Sequence, residues 1–215
     1  MPENASTILT KLFDAERTAR ACHRDVVGLP KDQLVSAVRG ATQEAQALAD
    51  RAEQGLRLSQ IAEVLADVEG AEVADLLIDI LGSEEPEARG AAGEALQSHA
   101  FDRFKEVALG IERALQRLPA GHLALAELPY VIAEVPEPGV IKLLGLFLKH
   151  ADPEAVAGAL EASVESLDES LVPAIRPLVD DKRRVRLDDE DGEGDEVTIG
   201  ELAREALSML VPERG

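Results

Sequence analysis

The sequence predicts an all-α chain of antiparallel helix pairs stacked one on the next, with one short β-hairpin inserted in the last pair. Three observations carry this reading. Apolar residues make up 46% of the 215 positions but aromatics only 2%, so the core is built from Leu, Ala, Val and Ile, in a composition that favours helix. Pro86, Pro119 and Pro153 recur at intervals of 33 and 34 residues. The leucines before them repeat as well: Leu76, Leu77 and Leu81 match Leu143, Leu144 and Leu148 at a shift of 67, and Leu109 and Leu115 fall halfway. Internal periods of this length are the signature of repeat architectures.

Each element follows from its own signals. Residues 5–27 and 31–55 read as two longer helices separated by Gly28-Leu29-Pro30, an N-terminal cap or divergent first repeat over residues 1–55. Terminal repeats present a polar outer face, so divergence is expected there. Residues 56–215 then read as one continuous run of repeats. A leucine-rich helix ends near Gly82, a short acidic loop follows, and an alanine-rich helix opens at Pro86. Proline suits a first helical turn because its missing N–H has no partner there. Ala88, Ala91, Ala92 and Ala95 let a neighbour approach closely while large leucines on the other helix fill the space between. Gly90 and Gly93, at about 1 kcal/mol each relative to Ala, point to the same close approach or else to tolerated exposure. Pro119 and Pro153 are expected to open the corresponding helices PAGHLALAELPYV and PEAVAGALEASVES, the former interrupted by Pro129. Pro177 should end or bend a helix near Arg176. Val185-Arg186-Leu187 and Glu196-Val197-Thr198 alternate as strands do, predicting a hairpin over about residues 184–198. Thr198 and Glu201 have capping-box spacing for a closing helix that runs to about Leu210.

The stretch ADLLIDILGSEEPEARGAAGEAL, Ala74 to Leu96, and its second copy GVIKLLGLFLKHADPEAVAGAL, from Gly139 to Leu160, resemble the HEAT-repeat family, in particular the short bacterial HEAT-like repeats. The likeness covers about residues 56–210 and rests on Pro86-Glu87-Ala88-Arg89 and on Asp152-Pro153. It implies a right-handed α-solenoid in which the second helices line the concave face. Val156 stands where the first copy has Arg89, so no arginine–aspartate ladder is expected to run through every repeat. A fold of this kind hosts many roles, so function has to be argued from the surface.

Charge is the strongest functional signal. The formal net charge is −20, and it is uneven: residues 1–40 carry six Lys/Arg against five Asp/Glu, so the remainder carries essentially all of it. Such a chain is unsuited to binding nucleic acid through phosphates or an anionic membrane surface, both of which require an excess of Lys and Arg. The expectation is a protein partner with a basic surface or tail. The repeat register places Glu94, Glu127 and Glu161 at equivalent positions, and aligning GEAL (93–96) with REAL (204–207) adds Glu205. These four form the candidate interaction surface, a row of carboxylates along the second helices.

No catalytic, cofactor or metal constellation is expected. Cys22 is the single cysteine, which removes intrachain disulfides and cysteine-based zinc sites. His23, His99, His122 and His150 are scattered, and Cys22 and His23 point about 100° apart on a helix. Nucleotide-binding and metalloprotease motifs are missing. Asp188 to Glu196 is dense in hard oxygen ligands but lacks EF-hand spacing, and reads as a solvated hairpin tip rather than a calcium loop. The N-terminus lacks the pattern of a signal peptide and no apolar run is long enough to cross a bilayer, giving a cytoplasmic expectation. The reading is a non-enzymatic adaptor. Two alternatives follow from proteins with HEAT-like folds: a chromophore-handling protein similar to bilin lyases, against which the scarcity of aromatics weighs, and an acidic nucleic-acid mimic that blocks a basic binder.

Overall fold

The computed structural model describes residues 4–187 and 194–211. Their secondary structure is mostly helical, with one two-stranded sheet. The helices are α1 (Ala5–Val27), α2 (Lys31–Gln46), α3 (Arg51–Ala66), α4 (Ala71–Leu81), α5 (Pro86–Arg117), α6 (Leu123–Ala133), α7 (Gly139–Phe147), α8 (Pro153–Ser166), α9 (Val172–Ile175) and α10 (Ile199–Leu210). Strands β1 (Arg184–Leu187) and β2 (Asp195–Thr198) pair antiparallel, Val185 opposite Val197 and Arg186 opposite Glu196.

Side-chain caps fix several helix starts by accepting from first-turn N–H groups that have no helical partner. Asn4 accepts from Thr7 at 3.0 Å, and Asp152 accepts from Glu154 at 2.9 Å. Thr198 and Glu201 form the expected reciprocal box, and α10 ends at Leu210. The expected bend near Arg176 is present: α9 stops at Ile175 and a 3-10 turn carries Arg176–Asp180.

The core is aliphatic. Leu58, Leu65, Leu77, Ile78, Leu81, Leu96, Ile111, Leu125 and one aromatic, Phe147, are fully buried. Burying a side chain of this size contributes roughly 1.5–3 kcal/mol. Helix α5 packs on α3, α4, α6 and α7; α8 packs on α6, α7 and α10. Ala88, Ala92 and Ala95 are buried at the closely packed start of α5.

Four expectations need correction. The segment 31–55 is two helices, because the chain leaves helix after Gln46 and Asp50 caps a new start at Arg51. Pro119 does not open a helix. Leu118 before it is extended, as a residue preceding proline prefers, and α6 starts only after a turn through Gly121 (φ +84°). Leu109 is 43% exposed: α5 leaves helical geometry at Arg103, and the buried line beyond that kink runs Val107, Ile111, Ala114, Leu118. Gly90 and Gly93 are not sites of close approach. A Cβ at Gly90 would meet open space, and one at Gly93 would make ordinary contacts.

Ion pairs that the sequence reading did not foresee tie α4 to α5. Arg113 meets Asp75 at 3.0 Å and Arg117 meets Asp79 at 2.7 Å, one turn apart on each helix. Partly exposed pairs like these are worth up to about 1 kcal/mol each. Two histidines staple helix ends. Nε2 of His99 donates to the Leu65 carbonyl at 3.0 Å, and Nε2 of His150 donates to that of Leu115 at 3.1 Å.

Candidate functional site

A groove of about 670 Å³ lies between α6, α8 and α10, with β1 at its edge. Its floor is apolar: Leu160, Val164, Leu202 and Met209 line it beside Ala126 and Ala157. Its walls are acidic, with Glu154, Glu161 and Glu165 from α8 and Glu205 from α10. Helical spacing explains the α8 set, since positions separated by seven and four residues share a face. Among the described lining residues Arg186 is the one cation, brought there by the hairpin, whose neighbouring Val185 is buried in the core.

Tyr130 of α6 anchors one wall. Its hydroxyl donates to Glu161 Oε2 at 2.7 Å, and burial first, then that hydrogen bond and the charges of Glu161, Glu127 and Glu165, hold the phenol well above its usual range. The phenol therefore stays a neutral donor at any physiological pH. Gly158 makes the arrangement possible: a Cβ there would lie 2.9 Å from the Ala126 carbonyl and 3.2 Å from the Tyr130 ring. The wall is a backbone-to-backbone approach of α6 and α8 that only glycine permits without displacement.

The four predicted glutamates separate in space. Glu161 of α8 and Glu205 of α10 both line the groove. Glu127 sits at its margin, close enough to influence Tyr130, but its carboxylate lies 3.6 Å from Arg89. Glu94 is exposed on α5 and does not line the groove. Arg89 itself donates to the Ser83 and Glu84 carbonyls, closing the α4–α5 loop. Glu154 and Glu165 were missed because the repeat register selects one position per repeat; the i, i+7, i+11 spacing along α8 would have found them.

Comparison of the chain with family models, curated proteins and solved structures returned no match. Among the described residues no group of three or more His, Cys, Asp or Glu could hold a metal ion, and no helix is long and apolar enough to cross a membrane. Residues 188–193, most of the acidic turn weighed as a calcium loop, lie outside the described residues. His23 meets Asp67 at 2.8 Å, and Cys22 is exposed.

Proposed function

We propose that this chain is a non-enzymatic docking scaffold whose acidic groove receives a basic segment of a partner protein, and that its helix pairs form a right-handed HEAT-like α-solenoid. The observation that carries the docking role is the convergence of Glu154, Glu161, Glu165 and Glu205 around an apolar floor. Carboxylate walls suit the Lys or Arg heads of a helix or extended tail, and the floor suits their aliphatic stems or an intervening apolar residue. Complementary potentials of this kind speed encounter and set orientation more than they set affinity. The solenoid is supported by the spacing of Pro86 and Pro153, each at the first turn of its helix, and by the packing of α4 on α5 and of α7 on α8.

The experiment is calorimetric titration of an amphipathic, lysine-rich helical peptide into the full chain. Glu161→Lys combined with Glu205→Lys should weaken binding at least tenfold, and added salt should do the same. Glu94→Lys, outside the groove, should leave it unchanged. Equal affinities for all three proteins would refute the groove as the docking site.

A further inference from the structure

A second, unrelated surface lies at the other end of the chain. No residue of α1 is buried, and residues 5–20 are exposed throughout, about 24 Å of helix at ~1.5 Å per residue. Within that stretch Ile8, Leu9, Leu12 and Phe13 are 50–60% exposed and share one face. Only the foot of α1 touches the body, through Val26 and Val27 on that same face and through the His23–Asp67 contact. At that foot opens an apolar groove of about 330 Å³ between α2 and α3, lined by Val26, Val38, Ala41, Ile61 and Val64 and rimmed by Glu44 and Arg57.

We propose that a second copy of this chain covers both features: α1 of each molecule inserts its Ile8–Phe13 stripe into the α2–α3 groove of the other, in a two-fold dimer. Three observations select this occupant. A stripe and a groove that sit at opposite ends of one helix, on one face, are both satisfied when a second α1 runs antiparallel to the first. A two-fold interface is self-complementary in this way. The lengths agree. The groove extends from Ala37 to Glu44 along α2, about 11 Å, enough to take the stripe from Ile8 to Phe13, which covers about 8 Å. Charge permits the contact as well: Asp14 beside the stripe is paired with Arg17, and Arg57 on the rim with Glu53, so these two bring no unpaired charge to it. On a molecule of net charge −20, residues 1–40 are close to neutral, so like-charge repulsion between two copies is least there.

The test is sedimentation equilibrium of the full chain from micromolar to hundreds of micromolar. The expected result is a reversible monomer–dimer equilibrium. Phe13→Glu, on the exposed helix, and Ala41→Glu, on the exposed groove wall, should each raise the dissociation constant tenfold or more while circular dichroism stays unchanged. Mixing the two variants should give a heterodimer, because each supplies the half that the other has lost. A wild-type chain monomeric at every concentration, as when α1 folds onto its own groove, overturns the proposal. So do a dimer that survives both substitutions and a mixture that forms no heterodimer.

Discussion

At the scale of the residue, polar side chains earn their positions by holding backbone that the helices leave unpaired. Asp181 and Arg183 show this at the root of the hairpin. The Asp181 carboxylate accepts from the Arg183 backbone at 2.9 Å and from its guanidinium at 2.6 Å. Arg183 in turn donates to the His150 and Ala151 carbonyls, both at 2.8 Å, fastening the hairpin to the α7–α8 loop. These hydrogen bonds hold the Asp181 carboxyl below its ordinary value of 3.8. A carboxyl depressed in the folded state stabilises fully above the unfolded value and loses that contribution as pH falls through the folded one. Acidification below about pH 4 should therefore destabilise the wild-type chain more than Asp181→Asn, with the two converging at low pH. Urea midpoints measured above and below that value check the sign; parallel pH profiles would show that the carboxylate contributes nothing. Asp152 plays a similar part, capping α8 while accepting from Gly121 N–H at 2.7 Å, although its side chain is buried.

At the scale of the element, much of the helix pattern was legible, for identifiable reasons. Pro86 and Pro153 mark true helix starts, each at the first turn, where its missing N–H costs nothing. The Thr198–Glu201 box and the alternating apolar residues of the hairpin are local signals, and local signals survive tertiary context. Pro119 misleads because a turn through a left-handed glycine intervenes, and the kink at Arg103 lies in a stretch with no Gly or Pro to mark it. The groove was half legible. Glu161 and Glu205 share a register position, but joining them needs the packing of α8 on α10, which no periodicity encodes. Gly158 carries the least visible information, since its role depends on α6 lying against it. Gly158→Ala should destabilise by about 1–3 kcal/mol through overpacking. It should also push the Tyr130 ring outward. Tyr130 is the sole tyrosine and the chain has no tryptophan, so ultraviolet titration reads this position alone. The phenol of the variant should ionise at lower pH than that of the wild type; an unchanged titration would mean that α6 had not moved.

At the scale of the whole molecule, electrostatics and the aliphatic core act against each other. A net charge of −20 is a self-repulsion spread over the surface, while the single cysteine allows no intrachain disulfide to resist it. The cross-helix pairs Arg113–Asp75 and Arg117–Asp79 offset only a part. Raising ionic strength from about 0.01 M to about 0.15 M shortens the screening length from roughly 30 Å to roughly 8 Å. The melting temperature should rise with that change by a few degrees, as followed by circular dichroism; a fall would mean that ion pairs outweigh repulsion. The kink in α5 has its own bearing on how the molecule comes apart. The run of chain through the kink touches α6 before it, through Arg89–Glu127, and α4 and α7 after it, through Arg113–Asp75 and Lys142–Glu112, and it packs on α3 as well, so neither flank owns a private boundary. Fraying that starts at one terminus must cross a shared girder before it reaches the other, and that sharing favours all-or-none denaturation over piecemeal unzipping.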